Sequence, residues 1–234
     1  LNLKSKEFKI FLRSLGKISD TSILEVKSDE IYSIAASDDR SMFLWSSMEG
    51  DFDVETTLNL PSLSKLSKLL DMVGSTDIQF KLNRNNLEYK SKLVKFNYHL
   101  YDEGILAKAK ITLAKIKSLT FDYEFEISKQ FLKTLLSNSS IFKDTNKLYI
   151  YTEDDHLTWS LADRTMKNTD TLTVVGEEVD FEMDEFILNL DNVRLIDFGD
   201  GDVAKFEVSK NGIGKISVES GNIQLNYIVS SLTR

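Results

Sequence analysis

The sequence has no cysteine, one proline (Pro61) and two histidines (His99 and His156) in 234 residues. Without cysteine it forms neither a disulfide framework nor a thiolate metal site, a usage that suits the cytoplasm. The histidines lack the spacing of His-Glu-x-x-His, and each falls in or beside an expected strand, so structural roles are expected of both. Gly-x-Ser-x-Gly, phosphate-loop and dinucleotide-binding fingerprints are also missing. No apolar run approaches the ~20 residues of a membrane span, and no signal-peptide pattern opens the chain. The chain begins at Leu1 rather than Met, so a few residues are expected ahead of it. Cations are in deficit, with 29 Lys+Arg against 37 Asp+Glu and a net charge of −8. Such a balance argues against nucleic-acid binding unless the cations are gathered on one surface.

They are gathered. Residues 5–18, SKEFKIFLRSLGKI, read as a helix with Phe8, Phe11, Leu12, Leu15 and Ile18 on one face. Lys6, Lys9, Arg13 and Lys17 take the other, Lys4 precedes them, and Glu7 is the one acid in the stretch. A second helix is expected over 62–73, after Pro61, with Lys65 and Lys68 opposite its leucines. A third, over 128–142, carries Lys129 and Lys133, followed by Lys143. A fourth, over 184–195, is net acidic and breaks the pattern. Most of the remainder alternates with period two and reads as strands, among them 93–101, 121–127, 171–176 and 178–183. Residues 101–119 have no clean period and read as a connector.

The chain repeats itself. Ser5-Lys6-Glu7-Phe8 matches Ser128-Lys129-Gln130-Phe131, Asp39-Arg40-Ser41-Met42 matches Asp163-Arg164-Thr165-Met166, and the stretch 80–87 matches 206–213. The offsets grow slowly from 123 to 124 to 126 residues, as small loop insertions require. The expected organisation is therefore α+β and duplicated: an N-terminal domain over 1–100, a connector over 101–119 and a C-terminal domain over 120–234, each with two helices packed on antiparallel sheets.

Two repeats of helix, strands, helix, strands, with lysines on the first helix of each and a connector between, resemble the DNA sliding clamps. The likeness is to the two-domain type, similar to proliferating cell nuclear antigen and most similar to the polymerase clamps of tailed bacteriophages. It implies a homotrimeric ring whose hole is lined by the helices. Lys4, Lys6, Lys9, Arg13, Lys17, Lys65, Lys68, Lys129, Lys133 and Lys143 would there face the phosphates of encircled double-stranded DNA without reading sequence. It implies head-to-tail closure, with the edge over 93–101 of one copy meeting the edge over 171–176 of the next. It also implies a pocket for short peptides of the DNA polymerase and of an ATP-dependent clamp loader, for which Met42, Ile105, Leu106, Ile228 and Leu232 are the candidates. No cofactor, no membrane and no catalysis are implied, and the expected location is cytoplasmic, that of the host if the protein is viral.

Two rival readings stand beside this one. A viral structural or assembly protein built from a duplicated β-rich domain would need no basic helix faces. A carboxylate enzyme would use Asp51 and Asp53, or the run Glu153-Asp154-Asp155, although such acids at strand ends are ordinary turn residues. Gly199-Asp200-Gly201-Asp202 hints at a calcium loop but lacks the remaining ligands.

Overall fold

The computed structural model describes residues 1–232 except 75, 140, 143–144, 163 and 165–169. The elements fall into four successive units of strand, helix and three strands. The first is β1 (Asn2–Lys4), α1 (Ser5–Ile18), β2 (Ser22–Val26), β3 (Glu30–Ala36) and β4 (Met42–Glu49). The second is β5 (Thr56–Leu60), α2 (Leu63–Asp71), β6 (Asp77–Asn83), β7 (Asn86–Lys90) and β8 (Lys95–His99). A short helix, α3 (Leu113–Lys117), lies in the connector. The third unit is β9 (Tyr123–Ser128), α4 (Lys129–Ser139), β10 (Lys147–Glu153), β11 (His156–Ala162) and β12 (Thr171–Glu178). The fourth is β13 (Phe186–Asn189), α5 (Leu190–Leu195), β14 (Val203–Ser209), β15 (Ile213–Ser220) and β16 (Ile223–Ser230).

Within each half the two units exchange their first strands. β1 pairs with β6 and β5 with β2, while β9 pairs with β14 and β13 with β10. The result is two four-stranded sheets, β1-β6-β7-β8 and β12-β11-β10-β13, and one eight-stranded sheet, β5-β2-β3-β4-β16-β15-β14-β9. The large sheet belongs to both halves. Its joint is the antiparallel pair β4–β16, in register from Ile223 opposite Met48 to Val229 opposite Met42.

Local sequence explains the helices. In α1 the expected stripe is buried, with Phe8, Phe11, Leu12 and Leu15 at 1% exposure or less. Ile10 and Ser14 are buried as well, because α1 meets α2 on one flank and α5 and β16 of the other half on the other. Ser14 Oγ turns back to the Ile10 carbonyl, which satisfies its buried hydroxyl. Gly199, at φ 53°, lies close against Ile10, and a Cβ there would sit 2.9 Å from Ile10 Cγ2. In α2, Ser62 is the N-cap, its Oγ accepting from the Lys65 N–H. The Tyr98 hydroxyl accepts from Ser62 N–H and donates to its carbonyl.

Three expectations change. The stretch 184–195 is half strand: β13 and then α5. Phe186, Ile187 and Leu188 are all buried, and a short apolar run covered on both faces has no periodicity to separate strand from helix. The strand expected over 178–183 does not form; β12 continues through Glu178 and the chain then loops to β13. The third helix begins at Lys129, since Ser128 ends β9 opposite Val203.

Because the halves share one sheet and one continuous core, they are expected to unfold together. Leu44→Ala, at a fully buried position opposite Tyr227 in the joint, should cost about 2–5 kcal/mol. Calorimetry should show a single transition moved to lower temperature; two separate transitions in the unaltered protein would contradict a common core.

Candidate nucleic-acid interface and connector cleft

The structure brings four of the ten candidate cations to one place, the loop that leaves α5. Arg13 donates to Asp197 through both Nε (2.8 Å) and a terminal nitrogen (3.2 Å). Lys17 Nζ is 3.6 Å from the same carboxylate. Lys6 pairs with Asp200 at 2.6 Å, and Lys129 Nζ donates to the Gly199 carbonyl at 3.1 Å. The other candidates do not join this cluster by any ion pair among the described residues. Lys9 pairs with Asp71 at the end of α2. Lys4 is on β1, not on a helix, and pairs with Asp77. Lys65, Lys68 and Lys133 are exposed and make no ion pair among the described residues. Lys143 lies outside the described residues. α5 carries one cation, Arg194, spent on its own Asp191.

These pairings rank the cations by availability. The Asp197 side chain is 9% exposed, so its charge depends on Arg13 and Lys17, and they in turn are held by it. Burial would raise the Asp197 carboxyl; hydrogen bonds from Arg13 and the Gly199 N–H, with the charge of Lys17, outweigh it and hold it below the usual carboxylate range. Its backbone N–H donates to the hydroxyl of Tyr227, whose ionisation burial pushes up. Lys6 and Asp200, by contrast, are both more than half exposed, and solvent screens their attraction. A phosphate can displace Asp200 there at little cost. Lys65, Lys68 and Lys133 need displace nothing.

The acidic runs singled out in the sequence do not assemble. Asp51 and Asp53 are exposed in the loop between β4 and β5. Asp154 and Asp155 occupy left-handed turn positions at φ 51° and 63° between β10 and β11. Asp200 of the supposed calcium loop is the partner of Lys6. Among the described residues no group of His, Asp or Glu is placed to hold a metal. The loop 197–201 is a part of this surface that the sequence conceals, because its carboxylates lie 180 or more positions from the residues they pair with.

The five candidate pocket residues are not brought together. Met42 is fully buried on the inner face of the joint, opposite Val229. Ile228 lies opposite Phe43 on the other face, since successive strand residues alternate; Met42 therefore lines no surface pocket. Leu232 packs by Tyr149, Tyr151 and Ile187. Ile105 is 59% exposed. Leu106 does line a cleft, of about 460 Å³, between the connector and the outer face of β2 and β3. Ile23, Tyr32, Ile34, Ile111 and Leu113 share it, and the Lys108–Glu25 ion pair ties its connector side to β2. The apolar residues at alternate positions of β2 and β3 are the signal for this face that the choice of Met42 missed.

Asp197→Asn should cost about 1–3 kcal/mol at neutral pH by leaving Arg13 unpaired. The folded-state carboxyl titrates below its unfolded value, so its stabilisation is present above that value and is lost as pH falls through the folded one. The denaturation curves of variant and parent should therefore converge in acid; a constant gap at every pH would contradict the pairing.

No family model and no curated protein matches the sequence. Solved structures do match its fold. The A. fulgidus PCNA in a structure with the C-terminal region of FEN-1 bound superposes with a TM-score of 0.77 at 10% identity, over 100% of this chain and 98% of that one. Proliferating cellular nuclear antigen from Entamoeba histolytica gives 0.73 at 15% identity, over 98% and 96%. Across its whole length, the chain has the fold of a PCNA-like sliding clamp.

Proposed function

We propose that this chain is a DNA polymerase processivity factor: a homotrimeric clamp that encircles duplex DNA without reading its sequence and tethers the polymerase to it. The observation that carries the reading is the full-length clamp fold combined with cations on α1, α2 and α4 of a chain whose net charge is −8. Exposed lysines attract the phosphate backbone in a salt-dependent, sequence-independent way. Pairing of Lys6, Lys9, Arg13 and Lys17 with carboxylates moderates that attraction, so that the clamp holds DNA by linkage and slides. The acidic remainder of the surface keeps DNA from the wrong face.

On this reading the protein is a scaffold with no catalytic role, and an ATP-dependent loader opens the ring. The cleft under Leu106 takes an apolar peptide of the polymerase or of the loader. Its exposed apolar lining, beside a connector that carries Lys108, Lys110, Lys115 and Lys117, favours a segment with apolar anchors flanked by acids.

The test is duplex affinity as a function of salt. Lys65→Glu/Lys68→Glu/Lys133→Glu should weaken binding at least tenfold and flatten the salt dependence by about one unit of slope for each phosphate no longer neutralised. Reversal of Lys81, exposed on β6 of a four-stranded sheet, should change neither. Equal weakening in both variants would place the DNA elsewhere.

A further inference from the structure

The large sheet is open at one place. β2 pairs with β5 over five residues, Ser22–Val26, and β3 with β4 over seven, Glu30–Ala36. Between β2 and β3, only Glu25–Tyr32 and Val26–Ile31 are in register. The pairs that would continue this ladder, Leu24–Ser33, Ile23–Ile34 and Ser22–Ala35, are not made. The corresponding strands of the C-terminal half are fully joined: β10 and β11 pair at six positions, from Leu148–Leu161 to Glu153–His156. The same hairpin is therefore closed in one half and parted in the other.

The parting is where the connector cleft lies. Ser22, Ser33 and Ala35 belong to the inward-facing, buried set of β2 and β3, yet they line the cleft together with the outward Ile23 and Ile34. The cleft thus reaches between the strands. The Ser22 and Ser33 hydroxyls meet at 2.7 Å, a bond diagonal to the register that spans the gap in place of the ladder. Leu106, Ile111 and Leu113 cover it from the connector, and Lys108 is tied to Glu25, the last joined residue of that end of β2. At the hairpin turn the Lys27 N–H donates to the Glu30 carbonyl. Hydrogen-bonded pairs alternate along an antiparallel ladder, so Glu25–Tyr32 is one and Ile23–Ile34 would be the next. Ile23 and Ile34 therefore turn backbone N–H and C=O groups toward each other without a ladder between them, an arrangement that backbone seldom keeps unless something is gained by it.

We propose that the β2–β3 ladder is a zipper that gates the connector cleft. Zipped, it joins Ile23 to Ile34 and Ser22 to Ala35 and removes the space between the strands; parted, as in this structure, it opens the cleft. This gate presupposes the peptide-binding role given to the cleft above and adds its regulation. The zipped state gains ladder bonds and a cross-strand contact of two isoleucines. The parted state keeps the Ser22–Ser33 bond and the apolar cover of the connector. An apolar peptide segment fits the parted state alone, so its binding draws the equilibrium that way, and the zipped fraction lowers its apparent affinity in proportion.

The absence of cysteine gives each state its own lock. Ser22→Cys/Ala35→Cys would face each other only when zipped, as a non-hydrogen-bonded pair with Cα atoms about 4.5 Å apart, within disulfide reach. Ser22→Cys/Ser33→Cys takes the contact seen in the parted state. Free-thiol titration under mild oxidation reads whether each disulfide closes, and binding of the apolar anion 1-anilinonaphthalene-8-sulfonate reads the cleft. Both disulfides should close within the single chain. The 22–35 lock should weaken dye binding at least tenfold, with recovery on reduction, while the 22–33 lock binds at least as well as the parent. If the 22–33 pair oxidises and the 22–35 pair stays reduced, the ladder does not zip and the gate is wrong. It is equally wrong if the 22–35 disulfide closes and dye binding is unchanged. If neither the parent nor the 22–33 lock takes up the dye, while the thiols still report both disulfides, the strands move but the cleft is not an apolar site, and the peptide reading fails instead.

Discussion

The antiparallel pairing of β4 with β16 is the constraint on which the rest of the molecule depends. It spends one edge of each half on the other, in seven consecutive residue pairs, and so fuses two similar units into one sheet. α1 then lies across the joint, packed on β3, β4 and β16, and its buried face is wider than a helix serving one half would need. The connector must span the outside of the same sheet; Lys117 rests over the Trp45 ring on β4 and Lys108 on Glu25 of β2. What the pairing leaves over is equally consequential. With β4 and β16 joined, the two four-stranded sheets keep β8 and β12 as free ends, one in each half of the chain.

The electrostatics follow from the same placement. A loop of the C-terminal half comes against a helix of the N-terminal half, so the carboxylates of Asp197 and Asp200 meet Arg13, Lys17 and Lys6. The sequence arithmetic of a basic helix on an acidic protein thus overstates the field it projects. Arg13 is tied to a carboxylate that burial would otherwise neutralise, and it serves the joint first. Lys65, Lys68 and Lys133 remain to project charge. On the clamp reading proposed above, cations whose charge is partly answered from within would hold a polyanion and still let it slide.

Much of this is legible in the residues because it is local. The apolar stripe of 5–18 specifies α1 to the residue, and the recurrence of Ser-Lys-Glu/Gln-Phe exposes the duplication. The further division into four βαβββ units is not legible: β1 and β13 are three and four residues long, and each pairs with a sheet distant in sequence. Burial of Ile10 and Ser14 is hidden for the same reason, since their cover comes from the other half. Met42-Phe43-Leu44-Trp45 is apolar at every position, so the pattern does not reveal which alternate residues face inward, and Met42 reads as a surface residue when it is a core one. The Asp197–Arg13 pair spans the domains and leaves no mark on either local pattern.

On the function proposed above, copies of this chain close around a hole wide enough for duplex DNA. Small-angle X-ray scattering of the unaltered protein over a range of concentrations tests it most directly. The account predicts forward scattering of about three times the 26.7 kDa chain and a pair-distance distribution of a hollow ring, giving way to single chains on dilution. A one-chain mass at every concentration, or an assembly that scatters as a filled body, would contradict it.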